Sequence, residues 1–206
     1  GDLAEVFAVP DEAVDAPLGG VARVARQVTG KPLLAGNRVV PLPDGDTAYP
    51  AMLAAIDAAE LSVTLLTYIF HNDAVGEAFV QALTRAQARG VEVRVLIDAV
   101  GSRYRPTGVL RRLKALGIPC AAFLPPSFTR VLSHVNLRNH RKILVVDGAV
   151  GFTGGMNISA NHWISRQPAT PVHCLHFEVR GPVVTDMQRA FATDWAFTTG
   201  ERLHGA

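Results

Sequence analysis

No apolar run in this 206-residue chain reaches the roughly 18 residues needed to span a bilayer; the nearest approach is Leu61 to Phe70. The chain itself is therefore expected to be soluble. Cysteine is almost missing. Cys120 and Cys174 cannot make a disulfide framework, and nothing resembles a zinc-ligand cluster. Both read as free thiols in a reducing compartment. The first residues, Gly-Asp-Leu-Ala-Glu, are polar and acidic, unlike a secretory leader, and a start on Gly instead of Met points to an excised piece of a longer protein. Internal repeats and low-complexity tracts are lacking as well.

Acidic residues are absent from one long stretch. Gly101 to Lys142 carries Arg103, Arg105, Arg111, Arg112, Lys114, Arg130, Arg138, Arg141 and Lys142 with no Asp or Glu, whereas residues 1–60 are net acidic. The overall charge of +2 hides this asymmetry. Such a local field concentrates an anionic substrate. Arg111, Arg112 and Lys114 read as the solvated face of a helix. Arg138 and Arg141 flank the motif described below and are better placed for phosphate contact.

What is present fits a globular enzyme piece. A hydrophobic fraction of 49% argues against disorder, and 13 prolines with 18 glycines fit many connecting loops. Residues 1–35 read as a lead-in with a short helix at Gly20 to Thr29, and residues 36–206 as one domain. Strands are expected at Asn37 to Leu42, Leu61 to Phe70, Val91 to Ile97, Ala121 to Leu124, Ile143 to Val146, Gly148 to Thr153 and His176 to Val179. Helices are expected at Tyr49 to Ala59, Ala74 to Arg89, Pro106 to Leu116 and Pro182 to Phe197, with a helix start at Met156 to Asn161. Asp44-Gly45-Asp46 reads as a capping turn, and Pro125 to Leu137 as a loop. Alternating strands and helices imply an α/β fold, an α/β/α sandwich on a mixed, largely parallel sheet.

The most informative stretch is Asn139 to Asn157, NHRKILVVDGAVGFTGGMN. His140 and Lys142 lie two residues apart beside a buried strand, so both project from one face and can meet one phosphate. A neutral imidazole is a competent nucleophile near neutral pH, and the ammonium offsets charge on the oxygens it attacks. Gly154-Gly155-Met156-Asn157 lets backbone approach closely and offers N–H groups and a side-chain amide to a phosphate oxygen. Asp147, the third motif residue, ends the strand in Val146-Asp147-Gly148. Its short carboxylate is suited to holding the loop that shapes the site by accepting turn N–H groups or pairing with a cation.

These residues match the HxKxxxxD motif, with its trailing G-G/S-x-N, and the chain resembles the phospholipase D superfamily. The resemblance extends to NRVVPLPDGDTAYPAMLAAIDAAELSVTLLTYIF, GVEVRVLIDAVGS, NLRNHRKILVVDG and FATDWAFTTGE, which look like the amino-terminal catalytic half of bacterial cardiolipin synthases. It covers roughly residues 36 to 202. The resemblance implies a phospholipase D-like fold and a phosphatidyl transfer between phosphatidylglycerol molecules through a phosphohistidine on His140. It implies no metal and no cofactor. Lys142, Asn157, Gly154, Gly155 and Arg138 would hold the phosphate. It further implies an anionic phospholipid at a membrane surface as substrate, at the cytoplasmic face of the bacterial inner membrane. The superfamily's site is typically built from two motif copies. Only one is visible here, so a second motif-bearing half or a homodimer partner is expected.

Hydrolysis of a phosphodiester in lipid or nucleic acid uses the same residues, and a half that only binds anionic lipid is a third reading. Tyr68 sits where the family strand lines the pocket, though an aromatic there also serves a core. Asp98, at a strand end, reads as a cleft residue or a turn cap. His176 is the best pocket candidate among the later histidines; His162, His173 and Trp163 can simply border a loop with Pro168 and Pro171. Aligned by Gly181-Pro182-Val183, Cys174 takes the place where cardiolipin synthases commonly carry an Asp that orients the nucleophilic histidine. Glu178 is a substitute only if the strand is shifted, because it shares a face with His176 and Cys174.

Overall fold

A computed structural model describes residues 16–99, 108–123 and 139–203. Among the described residues, runs rich in Val, Ile and Leu form seven strands: β1 (Arg38–Pro43), β2 (Ser62–Thr67), β3 (Glu92–Asp98), β4 (Cys120–Phe123), β5 (Ile143–Val146), β6 (Val150–Gly154) and β7 (Leu175–Arg180). The described residues also form five α-helices: α1 (Ala16–Thr29), α2 (Asp44–Asp57), α3 (Ala74–Ala88), α4 (Gly108–Ala115) and α5 (Val183–Thr199). Among the described residues no helix is long and apolar enough to cross a membrane.

The strands form one sheet in the order β1-β7-β6-β5-β2-β3-β4. Side-chain alternation along β2 separates two cores. Val63 and Leu65 pack with Tyr49, Ile56, Phe79 and Leu83 from α2 and α3, whereas Leu66 packs with Val184, Met187, Phe191 and Trp195 of α5. Helices therefore cover both faces, giving the expected α/β/α sandwich with a mixed sheet.

The balance of strand directions differs from the expectation. Only β2–β3 and β3–β4 are parallel; β1–β7, β7–β6, β6–β5 and β5–β2 are antiparallel. Parallel neighbours need a crossover, and here α3 and α4 supply one each. β5 and β6 are instead joined by a tight turn, and β1 adds to the far edge. The helix start expected at Met156 to Asn161 is also replaced. Ile158 donates its N–H to the Ile69 carbonyl at 3.1 Å, which keeps this segment extended until two 3₁₀ turns, Ala160–His162 and Ile164–Arg166.

Asp44-Gly45-Asp46 is the first turn of α2, not a cap before it, and its acids fasten loops. Asp46 accepts the Ile164 amide at 2.8 Å, and Asp44 accepts the Cys174 amide at 2.9 Å. Part of the expected lead-in is helical over a longer span than Gly20 to Thr29, and Lys31 ties its end to Asp186 of α5 at 2.6 Å. Arg112 pairs with Glu77 of α3, in keeping with a structural helix face.

The motif strand is fixed at its far end by Asp147. Its carboxylate accepts the backbone N–H groups of Glu60 (3.0 Å), Leu61 (2.8 Å) and Ser62 (2.8 Å), and its own N–H donates to the Ser62 carbonyl at 2.8 Å. Partial burial pushes this carboxyl up, but the three amides outweigh it and hold it below the usual carboxylate range. Asp147 takes a left-handed conformation, φ 52°, which Asp tolerates through such local bonds. Replacing it removes acceptors from the amides that start β2. Asp147→Ala is expected to lower stability by about 1–3 kcal/mol, read as a reduced midpoint in urea unfolding, with Asp147→Asn losing less.

Candidate active site

The site lies at the end of the sheet where β2 and β6 finish and β5 and β7 begin. Ile143 pairs with Leu66 and Thr153, and Gly154 pairs with His176. The register therefore carries Tyr68, His140, Lys142, Gly154 and His176 to one rim. Asp147 sits at the other end of β5, five residues from Lys142, or about 16 Å along an extended chain. The structure thus separates the third motif residue from the first two and gives it the loop-holding role its type suggests. Arg138 lies outside the described residues.

Lys142 is the electrostatic centre of the rim. It is only 5% exposed. Burial lowers its pKa to about 8, while Cys174 and Asp98 pull the other way. Its Nζ donates to the His140 carbonyl at 2.7 Å and lies 3.0 Å from His140 Nδ1. The Tyr68 ring supports both groups, with its centroid 4.8 Å from the His140 ring and 5.3 Å from Lys142 Nζ. Tyr68 is thus a wall of the site. His140 itself is exposed. With an ammonium donating to Nδ1, its proton resides on Nε2. Drawing Lys142 onto a phosphate oxygen would release Nδ1 and let the ring change tautomer.

His176 is 1% exposed, and burial, reinforced by His162 and Lys142, pushes its pKa down to about 4. It is a neutral imidazole whose Nδ1 has no partner among the described residues. It lines a cavity of about 10 Å³ with Lys142, Thr67, Tyr49 and Asn157, beneath the rim. His176 is therefore a buried support and not an exposed ligand-binding group. His162 donates from Nδ1 to the Val172 carbonyl at 3.0 Å, and His173 pairs with Asp44 at 3.0 Å. Both serve the loop that leads into β7. Trp163 stacks under Arg166, 4.1 Å from its ring centroid.

The Gly-Gly-x-Asn segment divides its roles differently from the expectation. The Gly155 N–H is spent on the Leu175 carbonyl at 3.0 Å, so it is not offered to a phosphate. Gly155 is needed for space, because a Cβ there would lie 2.4 Å from Cys174 Sγ. Gly154, at φ 148°, would likewise drive a Cβ to 2.6 Å from the Leu175 carbonyl oxygen. Asn157 is held by its side-chain oxygen. Its Oδ1 accepts the Ile69 N–H at 3.1 Å, which fixes the amide orientation and leaves Nδ2 as the donor end. The Tyr49 hydroxyl, 2.7 Å from the Asn157 carbonyl and 2.9 Å from that of Ser159, pins this loop to α2.

Sequence reading passed over two residues. Asn139 donates its backbone N–H to Asp98 Oδ2 at 3.0 Å and its Nδ2 to Asp194 Oδ2 at 2.6 Å, and Arg141 Nη1 meets the same Asp194 oxygen at 2.6 Å. Asp194 had a signal. It falls at the apolar spacing of α5, with Val184, Met187, Phe191 and Trp195, where a charged residue needs a reason. Arg141, a candidate for phosphate contact, is engaged with Asp194 instead.

An anion held by Lys142 should bind less well once this amine loses its proton. Sulfate stays dianionic across neutral and alkaline pH, so a change in its affinity reports the protein. Sulfate binding is expected to weaken about tenfold between about pH 7 and pH 9, measured by calorimetric titration. A flat profile, or one unchanged by Lys142→Gln, would remove Lys142 from the anion site.

A family model described as the phospholipase D-like domain of cardiolipin synthase matches residues 52–195. Cardiolipin synthase A of Pseudomonas aeruginosa (strain PAO1) is 39% identical over 173 residues, spanning 84% of this chain and 35% of the relative. That of Pseudomonas putida (strain GB-1) is 37% identical over 177 residues, 86% of this chain and 37% of the relative. The chain thus spans about a third of the length of these curated relatives. Among solved structures, the phospholipase D family member Nuc from Salmonella typhimurium superposes with a TM-score of 0.61 at 20% identity, covering 81% of this chain and 99% of that one. NucT from Helicobacter pylori gives 0.61 at 14% identity, covering 79% and 96%. These two likenesses bear on the fold. With the family model covering most of the sheet and the whole rim from Tyr68 to His176, the chain belongs to the phospholipase D superfamily, in its cardiolipin synthase-like branch.

Proposed function

We propose that this chain carries one motif-bearing half of a phosphatidyltransferase of the cardiolipin synthase type. The observation that carries the reading is the rim itself, an exposed His140 with Lys142 Nζ at 3.0 Å and the Asn157 amide oriented by Ile69. In the first step a ring nitrogen of His140 attacks phosphorus of phosphatidylglycerol. A P–N bond forms, the P–O bond to the glycerol head group breaks, and that oxygen leaves as an alcohol after taking a proton. In the second step the primary hydroxyl of another phosphatidylglycerol attacks the phosphohistidine. It returns a proton to the same acid–base group and restores free His140, giving cardiolipin and glycerol.

Lys142 and Asn157 hold the nonbridging oxygens in both steps. The proton donor to the departing alcohol must stand opposite His140, a place for a histidine from a second motif on another half or a second copy. The proposed substrate places the reaction at a membrane surface carrying anionic phospholipid, and the location proposed with it is the cytoplasmic face of the bacterial inner membrane. The basic stretch from Gly101 to Lys142 would draw that lipid in.

Incubation of the chain, self-associated or joined to a second motif-bearing half, with phosphatidylglycerol vesicles, followed by phosphorus NMR, is expected to show cardiolipin, with His140→Asn removing at least about 99% of the rate and leaving the unfolding midpoint unchanged. Phosphatidic acid alone would favour hydrolysis, and vesicle binding without turnover a lipid-binding half.

Cys174 provides a second test. Its thiol packs on Gly155 and, among the described residues, makes no hydrogen bond to His140. A thiol is a weak acceptor beside a carboxylate, so the Nδ1–H tautomer that frees Nε2 for attack has no anionic partner. Cys174→Asp is expected to raise kcat about tenfold or more, measured as initial rate at saturating lipid. An unchanged or lower rate in the folded variant would show that Cys174 does not stand in a carboxylate's place.

A further inference from the structure

We propose that Asp194, acting with Asp98, is a positioning residue for His140, a role that deepens the proposed transfer reaction and rests on it. Neither acid touches the imidazole. Their bonds go to the residues on either side of it. Asp98, fully buried at the end of β3, accepts the Asn139 backbone N–H at 3.0 Å. One oxygen of Asp194, from α5, receives both Asn139 Nδ2 and Arg141 Nη1 at 2.6 Å each. Asn139 closes the bracket by accepting the Arg141 N–H on its Oδ1 at 3.3 Å.

The chain at His140 has left regular β-structure, since β5 begins only at Ile143, so no ladder fixes its backbone. The bracket does that work from both flanks. Once the backbone is set, the Tyr68 ring and Lys142 leave the imidazole one direction in which to face. Burying a carboxylate is costly unless charged or N–H donors meet it. Asp194, 9% exposed among Phe191 and Trp195, spends its oxygen on the two flanking residues. A group that only stabilised α5 would have no reason to reach both sides of the nucleophile. The same argument separates Asp194 from Asp147, which secures the motif strand at its far end.

The test uses the full chain with Asp194→Asn, which keeps the volume and one acceptor oxygen but loses the charge, and Asp194→Ala, which removes both bonds. Two readouts are followed. One is turnover of phosphatidylglycerol. The other is the motion of the His140 ring, measured by NMR relaxation of its labelled carbons and independent of activity. For Asp194→Asn, kcat is expected to fall about tenfold or more with KM within about twofold, as the ring becomes more mobile than in the parent; Asp194→Ala is expected to do the same more strongly.

A lowered unfolding midpoint with unchanged kcat and unchanged ring motion would make Asp194 merely structural and overturn the proposal. Should Asp194→Ala fail to fold, Asp194→Asn decides alone. If the parent chain, self-associated or joined to a second motif-bearing half, turns over no phosphodiester, the transfer reading fails, while the ring motion still decides whether Asp194 holds His140.

Discussion

Complete burial of β5 on both faces is the constraint from which the rest of the site follows. Ile143, Val145 and the α5 core close one face; Leu144, Val146 and the α2–α3 core close the other. A strand in that position accepts no polar side chain along its length, so its polar neighbours are driven past its ends. At one end stands Asp147, which converts the turn into an anchor for the start of β2. At the other stands Lys142, still nearly buried and held to the chain by the His140 carbonyl. The spacing between the His140–Lys142 pair and the distant Asp of the motif is thus the length of one buried strand.

That arrangement puts a cation where water is scarce, and the neighbourhood reflects the tension. Burial weakens the proton on Lys142, Cys174 and Asp98 strengthen it, and His176 stays neutral because burial disfavours its charged form, with the positive neighbourhood of His162 and Lys142 adding to that. In the proposed reaction an incoming phosphate would resolve the conflict by supplying the missing negative charge, so that binding energy is released at the rim, beside His140, instead of on an exposed and already hydrated lysine.

The sequence was most legible where local chemistry and periodicity agree. β5, β2 and β3 read correctly because apolar runs bounded by turns have few other solutions, and the proximity of His140 to Lys142 was legible because their spacing is local. Strand direction was not legible. Whether β5 runs with or against β2 depends on where the chain returns after the 124–138 segment, and no residue type in β5 records that. The glycines misled for a related reason. Gly155 looks like an open backbone donor in a motif, but its N–H is taken by Leu175, which is distant in sequence. Asp194 was readable in principle as a charge on an apolar stripe, yet its partners Asn139 and Arg141 become visible only once α5 is packed against the sheet.

Burial also bears on what completes the proposed reaction. His176 is the histidine that the sheet register brings to the rim beside Lys142, yet it is 1% exposed, neutral and beneath the rim. In-line displacement requires the departing oxygen to leave from the side of phosphorus opposite His140. A proton for that oxygen therefore has to come from above the rim, where His140 is exposed. His176 is held close against Gly154, its partner in the β6–β7 ladder, whose missing Cβ is what allows His176 to approach. A second motif facing His140 across the phosphate meets this geometric demand, and the open side of the rim is the place it would occupy.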